Sequence, residues 1–184
     1  MKGSSTIRRL LARTVVVCSA FFATFLVAYD ANGTEFISNG GFEDPGCAKE
    51  KADGCVPWVF TGNGAVNDKP HSGLLAATVG GQGPGAGTVS QTVKLVEGFY
   101  SFSFWYFPRK IANGMTPAIA KIAGKIVFAK MLPSQEDYTI WTKCEIVVHI
   151  AKTEEGEKTI EFSAGVAPNY AGPLFDIDDV SLEK

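Results

Sequence analysis

The strict alternation of residues 99–107 (FYSFSFWYF) constrains the fold more than any other feature of the chain. Successive side chains of a β-strand point to opposite faces, so Tyr100, Phe102, Phe104 and Tyr106 share one face. Ser101, Ser103, Trp105 and Phe107 share the other. The first set is expected to face a core. A second run follows the same rule, with Ile140, Thr142, Cys144, Ile146, Val148 and Ile150 alternating with Trp141, Lys143, Glu145, Val147 and His149. Further strands are expected at 35–38, 58–61, 74–79, 88–95, 118–122, 125–129, 158–164 and 174–183, separated by Gly, Pro and Asn clusters. The second run extends its strand to 138–150, and no segment shows a convincing helical period. The expected class is all-β, an antiparallel two-sheet β-sandwich.

Residues 1–33 read as a secretory signal peptide. Lys2, Arg8, Arg9 and Arg13 supply the positive start, and Val15 to Tyr29 is an uncharged stretch of 15 residues, short for a membrane span. Ala31 and Gly33 place small residues where cleavage before Thr34 requires them; an uncleaved signal-anchor is the alternative. Residues 34–184 then form a single domain carrying 13 basic and 18 acidic residues, a charge near −5. Such a chain has no general attraction to nucleic acid or to an anionic membrane, and no membrane span is expected after cleavage. The expected location is extracellular or at the cell surface.

Cysteine usage agrees with export. Cys47 and Cys55 bracket a polar loop, and a local disulfide is the expectation; two ligands of a soft metal are the alternative. Cys144 falls in the apolar parity of its strand and reads as a buried, inert thiol. The glycine-rich stretch 80–87 lacks the Lys-Ser/Thr and the helix of a phosphate loop and reads as a turn.

Trp105 and Trp141 both fall on the less apolar side of their strands, whereas Trp58, between Val56 and Phe60, reads as core. An indole on the polar face of a sheet is a platform for the apolar face of a sugar ring. Gln91 and Tyr138 are the candidate polar partners. The alternative is that a loop or a second layer covers either tryptophan, which then simply packs.

Carboxylates gather where strands break rhythm. Glu43 follows the Gly40-Gly41 turn, and in 174–183 the apolar parity slips between Ile177 and Val180, which predicts a β-bulge at Asp178-Asp179. Glu43 and Asp178, with carbonyls of the 39–41 turn and the 71–73 loop, suit calcium better than magnesium or zinc. The alternative is that these acids cap turns and stay solvated.

The ordered set SNGGFE, a Cys-flanked loop, PWVFTGN, HSGLLAATVGG, VSQTVKLVEGFYSFSFWY, YTIWTK, KTIEFSAG and FDIDDVSL resembles the galactose-binding-like jelly-roll superfamily. It is most similar to secreted carbohydrate-binding modules and related exported domains. The resemblance implies a jelly-roll sandwich, a structural calcium near the first and last strands, and glycan binding on a concave face or at loop tips. Carried over by position, the calcium acids are Glu43 and Asp178.

The leading expectation is a non-catalytic, calcium-stabilised domain that binds a polysaccharide or other glycan. The second is an adhesive sandwich that binds a surface protein through the apolar 118–129 hairpin, with Ile119, Ile122, Ile126 and Phe128. An enzyme ranks third. The Glu154, Glu155 and Glu157 cluster lies in an apparent hairpin turn, and neither His71 nor His149 has a nucleophile motif beside it.

Overall fold

The computed structural model describes residues 33–62, 64–81, 87–109, 116–132, 140–164 and 172–184. The leader expectation for residues 1–32, the tip of the glycine-rich turn and Tyr138 lie outside them. Ten strands are described: β1 Val59–Thr61, β2 Ala65–Asn67, β3 Ala76–Gly81, β4 Thr88–Leu95, β5 Gly98–Pro108, β6 Thr116–Ile122, β7 Lys125–Leu132, β8 Thr142–Ile150, β9 Gly156–Ala164 and β10 Gly172–Glu183. Among the described residues the only helical element is a 3-10 turn at Lys152–Glu154, and no helix is long and apolar enough to cross a membrane.

The strands form two five-stranded antiparallel sheets, ordered β1-β4-β9-β6-β7 and β2-β3-β10-β5-β8. The inward parity of β5 is as the alternation predicts: Tyr100, Phe102, Phe104 and Tyr106 are buried, and Ser101, Ser103, Trp105 and Phe107 are half-buried on the outer face. Phe104 meets Phe162 of β9 at 5.0 Å and Phe128 of β7 at 5.3 Å between ring centroids, so its ring joins the two sheets. Each such buried ring contributes about 1.5–3 kcal/mol by leaving water.

Several expectations change. Ile122 and Phe128 are core residues, which leaves Ile126 and Met131 as the large exposed apolar side chains of the β6–β7 hairpin. The expected 138–150 strand begins only at Thr142, and Ile140 is exposed. The expected 35–38 strand is a short pairing in which Thr34 and Lys184 exchange backbone hydrogen bonds and Phe36 N–H donates to Leu182 O. It takes the edge of β10 that β3 leaves after Ile177.

Gln91 is also corrected. It is 2 % exposed on the inward face of β4, where its amide donates to Ser38 O (2.9 Å) and accepts from Ser38 N–H (2.9 Å). A side-chain amide copies the donor and acceptor of a peptide unit, so Gln91 binds a passing backbone and offers nothing to an outside ligand. The inward parity of Val89, Val93 and Leu95 had this signal in it.

Cys47 and Cys55 form the expected disulfide, and Cys144 is buried. The disulfide loop packs beside Asn39, whose Nδ2 lies 3.2 Å from Cys47 Sγ and whose carbonyl accepts from Trp58 Nε1 (2.8 Å). Trp58 is buried against Phe42, 5.1 Å between centroids, as its apolar neighbours suggest.

The 39–41 turn closes on the last strand at Gly40. Val180 N–H donates to Gly40 O (3.0 Å), and a Cβ on Gly40 would stand 1.9 Å from Val180 O. No side chain fits there. Gly40→Ala is expected to destabilise the protein by about 3 kcal/mol, because backbone and not a flexible side chain must move. Chemical denaturation checks this; a loss below about 0.5 kcal/mol, the range of an ordinary surface change, would contradict it.

Candidate functional site

The predicted bulge forms the base of the site. Asp178 pairs with Trp105 and Ser181 with Ser103, so three steps along β10 oppose two along β5. Asp179 absorbs the extra residue with φ 48°, in the left-handed region where Asp is among the tolerated residues. Because of this step, Asp176 and Asp178 share the outer face with Phe107 and Trp105, while Val180 and Leu182 return to the core.

The segment 68–75, between β2 and β3, folds over these acids. Asp178 Oδ2 accepts from His71 N–H (2.8 Å) and Ser72 N–H (3.1 Å), and its Oδ1 accepts from Asp179 N–H (2.8 Å). Asp179 Oδ1 accepts from Ser72 Oγ (2.7 Å), and its Oδ2 lies 2.7 Å from His71 Nδ1. Glu43 Oε1 accepts from Leu74 N–H (2.7 Å) and Leu75 N–H (2.8 Å). Thus Glu43 and Asp178, 135 positions apart, grip one loop. A Cβ on Gly41 would lie within 4 Å of Glu43 Cγ, Asp178 Oδ1 and Asp179 Oδ1, so the three acids surround one small backbone turn.

Holding this loop sets the aromatic surface. The His71 ring stacks on Trp105, 3.7 Å between centroids and 13° between planes, and meets Trp141 edge-on at 5.9 Å. Phe107 lies 5.6 Å from Trp141. The tryptophans are half-buried and outward, neither in the core nor bare. The alternative of a loop cover therefore holds for one face of Trp105.

Beside the rings, Arg109 forms an ion pair with Asp176 and lies over Phe107 at 5.4 Å. Asp176 is fully buried and also accepts from Thr78 Oγ1 (2.9 Å), which in turn accepts from Asn67 Nδ2 (2.8 Å). Burial pushes the Asp176 carboxyl up, against the pull of Arg109. A cavity of about 130 Å³ opens here, lined by Lys69, Pro70, Phe107, Arg109, Trp141 and Asp176.

Sequence reasoning treated the pair Trp105 and Trp141 and the pair Glu43 and Asp178 as separate sites, named the 71–73 loop only for its carbonyls, and did not bring the His71 ring, Asp179 or Arg109 to this surface; the structure places all of them together. Phe107 carried a usable signal in its shared parity with Trp105, and Asp176 in its position two before Asp178. Nothing local announces that His71 crosses to β5. His149 is elsewhere on the sheet, exposed and 4.7 Å from the Phe99 ring.

Burial, with the adjacent Asp179 charge adding to it, raises the Asp178 carboxyl to about 6 despite its N–H donors. An acid whose folded value lies above the unfolded value, about 3.9, binds its proton more tightly when folded. Its contribution therefore favours the fold below about pH 4 and is lost as pH rises through about 6. A carboxyl carbon-13 titration with EGTA present is expected to give Asp178 a midpoint near 6, and a midpoint near 4 would contradict the burial argument.

No protein-family model and no curated protein matches the chain. Among solved structures it is similar to the module TmCBM61 in complex with β-1,4-galactotriose, at TM-score 0.54 and 24% identity over 81% of this chain and 97% of that one. It is similar to a cyclase from Fischerella sp. TAU, at TM-score 0.56 and 14% identity over 83% and 97%. The CBM22-1 xylan-binding domain of Paenibacillus barcinonensis Xyn10C gives TM-score 0.52 and 12% identity over 82% and 94%. The chain thus has the two-sheet β-sandwich fold of these solved structures, carbohydrate-binding modules and a cyclase among them.

Proposed function

We propose that this chain is a secreted, non-catalytic carbohydrate-binding domain whose ligand docks on the outer face of the β2-β3-β10-β5-β8 sheet, at the Trp105–Trp141 corner. The observation that carries the proposal is the outward aromatic group of Trp105, Trp141 and Phe107, braced by His71. Rigid rings with a polar rim suit the apolar face of a sugar. Because His71 covers one face of Trp105, Trp141 and Phe107 are the contact rings and Trp105 supports them. The galactotriose and xylan ligands named for two structural neighbours support this class of ligand.

Export is supported by the disulfide and by the leader pattern of the sequence. The non-catalytic reading is supported by Ser72 Oγ, which donates to Asp179 Oδ1, so this serine is not paired with the neighbouring histidine as nucleophile and base. The fold alone does not decide the matter, since a cyclase shares it. Of the two binding readings, glycan is favoured over a surface-protein partner because half of the expected hairpin patch is core.

Calorimetry of the refolded chain against neutral galactan and xylan oligosaccharides tests the proposal. Binding is expected, and Trp141→Ala is expected to weaken it by about tenfold or more, roughly the value of one ring platform. Equal affinity in Trp141→Ala and Phe107→Ala would overturn the docking surface.

A structural calcium at Glu43 and Asp178 belongs to the same proposal. Among the described residues no group of three or more His, Cys, Asp or Glu side chains is arranged to hold a metal. Glu43 and Asp178 nevertheless fit a hard cation in donor type: Oε2 of Glu43 and the remaining lone pair of Asp178 Oδ1 are oxygens, and carbonyls and water complete a shell of about six to eight. Bound there, calcium would balance three neighbouring carboxylates and fasten the chain ends. Melting with EGTA is expected to fall by several degrees and to recover with excess calcium. An unchanged melting temperature would remove the ion from the account.

A further inference from the structure

The cavity beside Trp141 has a charge pattern that a neutral sugar does not require. In a chain of net charge −2, two cationic side chains, Lys69 and Arg109, line one small cavity with a single carboxylate, Asp176, at its base. That carboxylate lies on the outer face of its sheet but is fully buried and already engaged by Arg109 and Thr78, so it is not free to meet a ligand. Arg109 is held from below by this pair and from the side by Phe107, and its side chain keeps 18% exposure. Its Nη2 pairs with Asp176 and its Nε is buried, without a hydrogen-bond partner among the described residues, so a ligand meets only the exposed remainder of the side chain. The guanidinium is thus held in place as a fixed positive charge. Lys69 is exposed at the rim.

A guanidinium and an ammonium at one mouth, next to aromatic walls, are the complement of a planar anion carried on a ring. The cavity, about 130 Å³, has room for a carboxylate. We propose that it receives the carboxylate of a uronic acid residue, so that the preferred ligand of the domain is an acidic polysaccharide. The ring bearing that carboxylate would rest on Trp141 and Phe107, and the acid would lie between Lys69 and the exposed part of the Arg109 side chain.

This inference rests on the carbohydrate-binding reading and is tested so that the two can fail separately. Three probes of equal length are titrated into the full mature chain by calorimetry: oligogalacturonate, its full methyl ester, and a neutral β-1,4-galacto-oligosaccharide. The free acid is expected to bind about tenfold or more tighter than the ester, since a charge-assisted contact is lost with the ester's charge. The preference is expected to shrink as salt rises and to fall in Lys69→Gln, a change at an exposed position that leaves the Arg109–Asp176 pair in place. Arg109→Gln combined with Asp176→Asn removes the second cation without leaving a lone buried charge, and is expected to act in the same direction. Ester and acid binding alike, or neutral binding alone, would overturn the acidic ligand and leave the sugar reading standing. Binding to none of the three would remove both.

Discussion

The backbone contact between Gly40 and Val180 is the constraint on which the rest of the structure depends. It brings the first described turn against the last strand at a distance that excludes any Cβ, and it sits directly after the bulge at Asp178-Asp179. The bulge and the turn are mutually required. Without the extra residue in β10, Val180 would fall on the outer face; without the bare Gly40, β10 could not approach. Once both are present, Thr34 and Phe36 extend the sheet along β10, and Gln91 carries the chain across to the opposite sheet at Ser38.

The same contact decides where chemistry can occur. Turning Asp176 and Asp178 outward gives the sheet two acids that burial alone would disfavour, and each is answered differently. Asp176 meets a guanidinium, and Asp178 meets three backbone N–H groups. The second answer has a consequence at a distance, because those N–H groups belong partly to the loop that carries His71. Fixing the loop lays the imidazole on Trp105, and the imidazole then presents its edge to Trp141. An acidic end and an aromatic platform that look unrelated in sequence are one unit, joined through a loop of eight residues, 68–75.

How far the sequence discloses this depends on whether the information is local. Period-two parity is local, and it correctly assigned the core face of β5, the outward tryptophans and the stumble in β10. The disulfide was legible for the same reason, its partners being eight residues apart. Gln91 was misjudged although its strand was bounded correctly and its inward parity with Val89, Val93 and Leu95 was legible; what is not legible is the backbone at Ser38, 53 positions away, that satisfies its amide. The three-residue β2 strand at Ala65–Asn67 was missed because so short an edge carries almost no periodic signal. His71 was unreadable as a ring stacked on Trp105, since what orients it is a set of hydrogen bonds to residues more than a hundred positions away.

The central claim is that the outward indoles meet the ligand while the inward one does not, and the three tryptophans allow it to be tested in one spectrum. Indole N–H signals from nitrogen-15-labelled protein should be followed as an acidic or neutral oligosaccharide is added. The account predicts that Trp141 shifts most, that Trp105 follows through its stack with His71, and that Trp58, buried with its Nε1 on Asn39 O, stays still. Saturating binding that leaves Trp105 and Trp141 unmoved would place the ligand elsewhere and contradict the account.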